Sequence, residues 1–143
     1  MRPPLQLLIV SSRIETKRAL LRIVEGLPIN AFTSSTIERA WEVLMSKPID
    51  VIFCDDRLPD GHYPDFLSAV RSEFRTARFV LMLNSQDWEE WQECLQPMRR
   101  GAIDVLRDSY QPTDVELILI RAGREAGHEV VVPREDLHLS ATA

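Results

Sequence analysis

The sequence predicts an α/β protein, one parallel sheet with helices packed on both faces. Three observations carry that prediction. Apolar strand-like runs alternate with helix-like segments five times in succession, the order that builds a parallel sheet through right-handed crossovers. The runs LQLLIV (5–10) and RFVLML (78–83) are continuously apolar or nearly so, as in strands covered on both sides. Finally, the run VIFCDDRLPDG (51–61) is an apolar strand that ends abruptly in Asp55 and Asp56, before Pro59 and Gly61 impose a turn. An acid at the carboxyl end of a buried parallel strand stands where open α/β sheets place their ligand sites.

Taken in order, LQLLIV is the first strand. Ser12-Arg-Ile-Glu15 has capping-box spacing and opens a helix to about Val24, with Leu20, Leu21 and Val24 at helical intervals; Gly26 and Pro28 end it. INAFT (29–33) is the second strand. Ile37, Ala40, Trp41, Val43 and Leu44 form the buried stripe of the second helix, which Pro48 stops. IDVIFC (49–54) is the third strand, and Phe66, Leu67 and Val70 mark a third helix ending near Phe74. RFVLML is the fourth strand. The stretch from Asp87 is helical until Pro97 kinks or ends it. AIDVL (102–106) is a short fifth strand, and Pro112 opens a last helix carrying Val115, Ile118, Leu119 and Ala122 to about Gly127. Residues 1–127 thus form one domain, and 128–143, with HEVVVP, form a tail that either adds a strand or frays.

Composition narrows the function classes. At 143 residues, 45% hydrophobic and 27% charged, the chain is an ordinary globular domain. A net charge of −5 argues against a nucleic-acid surface, and Arg13, Lys17, Arg18 and Arg22 share their helix with Glu15 and Glu25. No run approaches the roughly 20 apolar residues of a membrane span, and LQLLIV is too short for a signal peptide. Cys54 and Cys94 lack the spacing and the histidine neighbours of a metal knuckle, which points to reduced thiols in a cytoplasmic protein. There is no Gly-rich phosphate loop, no Gly-x-Ser-x-Gly elbow and no Cys/His nucleophile pair, so an enzyme is not expected. A small-ligand module using the strand-end crevice is disfavoured by the same missing phosphate loop. His62, His128 and His138 are scattered and read as loop or tail residues.

Asp55 with Leu58, Pro59 and Gly61, the Gly101-Ala102 pair before the fifth strand, and the proline at the start of the last helix together resemble the response-regulator receiver domain. The resemblance covers residues 5 to 125. It implies a flavodoxin-like, doubly wound (βα)5 fold with strand order 2-1-3-4-5, and it makes Asp55 the phospho-acceptor position. In that family, Mg²⁺ is held by an acidic pair after the first strand, while a hydroxyl after strand four and a lysine after strand five contact the phosphoryl oxygens. A transferring phosphoryl group must be positioned and its charge neutralised.

Here the corresponding positions depart from the family. The acidic pair reads Ser11-Ser12, the hydroxyl position Asn84 with Ser85 next, the lysine position Asp108, and the switch aromatic Val105. Serines bring no charge to a cation that is usually held by carboxylates, and Ser12 has a competing explanation as the helix cap. Arg107 neighbours Asp108 but points to the opposite face of a strand. Asp55 is therefore a vestigial acceptor, a weak acceptor or a structural acid. Asp56 is a secondary acid that would replace part of a metal site only if it shared Asp55's face. Without a cation, Asp55, Asp56 and Asp108 would crowd charge, which raises a carboxylate pKa.

Trp88 and Trp91 lie three apart on the acidic fourth helical segment and either pack on the sheet or present aromatic surface. Val115, Leu117, Ile118, Leu119 and Ile120 exceed one sheet-facing stripe, so Leu117 and Ile120 are interface candidates unless the tail covers them. The expected function is an atypical receiver domain acting by protein–protein contact, largely independent of phosphorylation. Its partner would be an effector domain, a kinase or a component of the transcription machinery, with a homodimer through the fourth helix, fifth strand and fifth helix. No direct nucleic-acid or membrane contact and no cofactor are expected. The alternative is a conventional two-component receiver, a phosphoprotein that uses Mg²⁺ to accept a phosphoryl group on Asp55 from a histidine kinase.

Overall fold

The computed structural model describes residues 4–83, 95–107 and 110–127. In chain order the elements are β1 (Leu5–Val10), α1 (Ile14–Val24), β2 (Ile29–Ser34), α2 (Ile37–Ser46), β3 (Val51–Asp55), β4 (Arg57–Leu58), β5 (Gly61–His62), α3 (Tyr63–Glu73), β6 (Arg78–Leu83), α4 (Leu95–Arg100), β7 (Asp104–Arg107) and α5 (Pro112–Glu125). Five strands form one all-parallel sheet in the order β2-β1-β3-β6-β7. With the two-residue antiparallel hairpin β4-β5 set apart, this is the 2-1-3-4-5 order expected of the chain.

Side chains alternate across the sheet and divide the core into two layers. Leu5, Leu7 and Ile9 of β1, with Val51 and Phe53 of β3, pack under Leu20 and Val24 of α1 and Val115, Leu119 and Ala122 of α5. Leu8, Val10, Ile52 and Cys54 face the other way, onto Ala40 and Leu44 of α2 and Phe66, Leu67 and Val70 of α3. Burial on both faces is why β1 and β3 read as nearly continuous apolar runs, interrupted only by Gln6 in β1 and ended by Asp55 in β3. On the second face, Trp41 and Phe66 meet edge to face with centroids 5.6 Å apart, and Phe66 meets Phe79 at 5.8 Å.

Several local expectations need correction. Ser12 does not cap α1: the residue before the helix is Arg13, no side chain caps it, and Ser12 is exposed. Ser11 is drawn into the core beside β3, so its hydroxyl, and not that of Ser12, meets the turn that enters the helix. The fifth strand starts two residues late, at Asp104, and the third spans 51–55. The described helix Leu95–Arg100 carries Pro97 in its first turn, where proline is tolerated, and the stretch from Asp87 to Cys94 lies outside the described residues. The hairpin β4-β5 has no counterpart in the sequence pattern, because two-residue strands have no periodicity to read. The tail, 128–143, lies outside the described residues.

Candidate functional site at the carboxyl ends of the strands

Register builds the site. Val10 of β1 lies opposite Cys54 of β3, so the next residues, Ser11 and Asp55, emerge side by side at the top of the sheet. Both are buried, at 0% and 1% exposure. Ser11 Oγ donates to Asp55 Oδ2 at 2.6 Å and accepts from the Arg13 main-chain N–H at 3.1 Å. Its own N–H donates to the Ser34 carbonyl at 2.9 Å, which fixes the β1 end against β2. The hydroxyl proton is thus directed at the carboxylate in a short, charge-assisted bond, the stronger class of hydrogen bond. Where the receiver pattern has a metal-binding acid, this chain has a neutral donor that satisfies Asp55 directly.

Asp56 is half-buried and tied by its backbone: its N–H donates to the Met82 carbonyl and its own carbonyl accepts from the Tyr63 N–H, both at 3.1 Å. Beneath the acids, burial pushes the Cys54 thiol well up, and the fields of Asp55 and Asp56 push it further the same way. The Cys54 Sγ donates to the Asp55 carbonyl at 3.2 Å. A buried thiol held protonated is not a nucleophile.

Asp60 is a functional-loop residue that the sequence reading passes over, although the Pro-Asp-Gly turn places an acid at the tip of the loop after β3. Its carboxylate reaches back to the start of α2, where Oδ1 accepts from Ile37 N–H at 2.9 Å and Oδ2 from Glu38 N–H at 3.0 Å. The Thr36 side chain accepts from Arg39 N–H at 3.1 Å and completes the cap. The Ile37 bond, with the Glu38 bond adding to it, holds the Asp60 carboxyl below its ordinary range. At Gly61, with φ 156°, a methyl group in place of the hydrogen would lie only 3.1 Å from Ile37 Cδ1, so turn and helix approach closely.

The donor set does not fit a Mg²⁺ ion. Such an ion requires near-octahedral oxygen ligands and is usually anchored by one or two free carboxylates. At this position Asp55 Oδ2 accepts the Ser11 proton, and Ser11 offers a cation a neutral hydroxyl oxygen that already accepts from the Arg13 N–H, not a carboxylate. Among the described residues no group of three or more His, Cys, Asp and Glu side chains is arranged to hold a metal ion. Asn84 and Asp108, the positions at which the resemblance expects a hydroxyl and a lysine, lie outside the described residues, as do Trp88 and Trp91.

At the edge of the sheet, β7 and α5 border a cavity of about 390 Å³ that Asp104, Tyr110, Leu117 and Arg121 help to line. Along β7, Leu106 packs into the α5 layer and Val105 against the opposite one, so Arg107 alternates with Leu106. Of the surplus apolar residues on α5, Leu117 is 48% exposed, Ile118 is buried and Ile120 packs partly buried against the core. Ile120 is accordingly a core-flanking residue more than a surface one. Glu116 is buried, which the sequence pattern does not foretell.

No protein-family model matches the chain, and no curated protein matches it. Solved structures do. The signal receiver domain of an HD domain-containing protein from Pseudomonas fluorescens Pf-5 superposes with a TM-score of 0.80 at 16% identity, over 89% of this chain and 92% of that one. The receiver domain of NtrX from Brucella abortus gives 0.73 at 17%, over 81% and 96%. A CheY-like receiver domain protein from Methanospirillum hungatei JF-1 gives 0.73 at 15%, over 87% and 98%. The fold is that of response-regulator receiver domains. Among the described residues, no helix is long and apolar enough to cross a membrane.

Proposed function

We propose that this chain is a receiver-type signalling module that works by protein–protein contact and does not depend on phosphorylation of Asp55. The observation that carries the proposal is the 2.6 Å bond from Ser11 Oγ to Asp55 Oδ2, both residues buried. An incoming phosphoryl group brings about two negative charges. On either carboxylate oxygen it would sit beside the buried Ser11 hydroxyl and would have to find its compensation without the acid pair that holds a cation. The module has a scaffolding role, not an enzymatic one, and belongs in the cytoplasm with a protein partner such as an effector domain, a kinase or a transcription component. Its contact face is built from residues 86–100, 102–106 and 111–125, with a homodimer as its first assembly; exposed Leu117 and Met98 support this choice.

The test is incubation with Mg²⁺ and a small-molecule phosphodonor, followed by intact mass. An unchanged mass is expected, together with no saturable Mg²⁺ binding below about 1 mM by calorimetry. A phosphorylated species that disappears in Asp55→Asn would establish the conventional receiver instead.

A further inference from the structure

The outer surface of α1 carries a net positive charge in an acidic protein. Between residues 13 and 25 lie Arg13, Lys17, Arg18 and Arg22 against Glu15 and Glu25, an excess of cations, while the whole chain has a net charge of −5. Lys17 is engaged by the Ser35 hydroxyl at 2.6 Å. The three arginines are exposed, and among the described residues none of them takes part in an ion pair. Arg18 and Arg22 stand one turn apart, where like charges repel and weaken a helix.

Apolar side chains share this surface. Ile14 is 59% exposed and Leu21 is 38% exposed. Seven residues apart, they lie on one stripe about 10 Å long with Arg18 between them. On its sheet-edge side α1 borders a groove of about 460 Å³, lined by Arg18, Leu21, Arg22 and Glu25 and, at its floor, by Leu27 with Ile29 and Ala31 of the edge strand β2. Apolar anchors two helical turns apart, set among unpaired arginines and beside an apolar groove, match the i and i+7 anchors of an amphipathic helix.

We infer that α1 and the groove beside β2 form a second docking surface, separate from the β7–α5 face, and that its occupant is an acidic amphipathic helix of a partner protein. Charge complementarity selects this occupant: glutamates or aspartates flanking the partner's apolar stripe pair with Arg18 and Arg22, and the stripe covers Ile14, Leu21 and the groove floor. Only four cations on one helix of an anionic chain make a poor match for the continuous phosphates of a nucleic acid. With one face for self-association and another for an acidic helix, the module joins two protein partners without chemistry at Asp55.

The probe is a fluorescein-labelled, helical 18-residue peptide with leucines at heptad spacing and glutamates elsewhere, titrated into the full chain and followed by anisotropy. Saturable binding is expected, weakening with salt and falling at least tenfold in Arg18→Glu/Arg22→Glu and in Leu21→Asp. It should be unchanged in Met45→Ser on α2, whose side chain is exposed elsewhere. A peptide with lysines in place of the glutamates should bind the charge-reversed variant in preference to the wild type, which separates lost contact from lost folding. Equal binding by all variants, or none by the wild type, overturns the proposal. Tighter binding of anionic phospholipid vesicles or a single-stranded oligonucleotide than of the peptide overturns it in favour of those partners. Binding that appears only after deletion of 128–143 would show that the chain's own tail, with Glu129, Glu135 and Asp136, is the occupant, and would overturn it as well.

Discussion

Ser11 and Asp55 exchange a bond that either residue alone cannot replace. In Ser11→Ala the buried carboxylate loses its hydroxyl donor, and the expected loss is about 1–3 kcal/mol in urea unfolding at neutral pH. Asp55→Asn keeps an oxygen to accept the Ser11 proton and removes a charge close to Asp56, so its thermal midpoint should equal or exceed that of the wild type. A drop of several degrees in Asp55→Asn would mean that the charge itself is needed. Asp60 gives a prediction with a pH signature. Its folded-state pKa lies below the ordinary carboxylate value, so its contribution is complete above that ordinary value, about 4, and is lost as pH falls through the lowered one. Asp60→Ala should therefore melt below the wild type at pH 7, with the gap closing as pH falls below about 4. Asp60→Asn, which retains one acceptor oxygen for two N–H groups, should lie between them. Because Asp60 is exposed, solvent screening keeps the effect modest. At this scale the sequence shows which residues stand at the strand ends, since strand boundaries and a fixed offset locate Ser11 and Asp55. It does not show which hydroxyl turns inward. Ser11 and Ser12 are chemically identical, and only the register of β1 on β3 buries the first and exposes the second.

Among the elements, the turn into β7 depends most on a single backbone conformation. Gly101 has φ +111°, a region that L side chains rarely adopt. A Cβ there would lie 1.7 Å from Arg71 Nη1, the same group that donates to the Gly101 carbonyl at 3.1 Å. Arg71 of α3 thus clamps the end of α4 to the start of β7. Gly101→Ala should destabilise by about 1–3 kcal/mol through backbone strain. Adding Arg71→Ala should recover only part of that loss, because a flexible side chain can move aside but the backbone angle cannot; full recovery in a urea melt would assign the cost to the clash. The same logic explains which elements were legible. Strands buried on both faces announce themselves as apolar runs, so β1 and β6 match their expected spans. Edge strand β2, with exposed Asn30 and Thr33, and short β7 carry weaker patterns. The caps of α2 and α5 come from Asp60 across a loop and from the Gln111–Asp114 pair. The first of these is a tertiary contact that no local spacing encodes.

For the whole molecule, two layers of helices leave two unlike surfaces: the arginine-bearing face of α1 and the face of α4, β7 and α5. The latter carries Leu117 at 48% and Met98 at 44% exposure, and its ion pair from Arg121 to Asp104, at 3.3 Å, is solvent-exposed and therefore worth little. Its stability as an interface must come from apolar area, at about 25 cal/mol per Å². A standard interface buries roughly 800 Å² on each partner, more than Leu117 and Met98 supply, so a dimer here must draw on the whole span of 86–125. Leu117→Glu places a charge on the exposed side of α5 without entering the core. It should weaken self-association at least tenfold in sedimentation equilibrium while the melting midpoint holds. Ile120→Glu is the contrasting variant: Ile120 packs against the core, so both association and stability should fall. If the wild type sediments as a monomer at tens of micromolar and Leu117→Glu changes nothing, self-association through this face is excluded, and the scaffolding role must rest on hetero-partners alone.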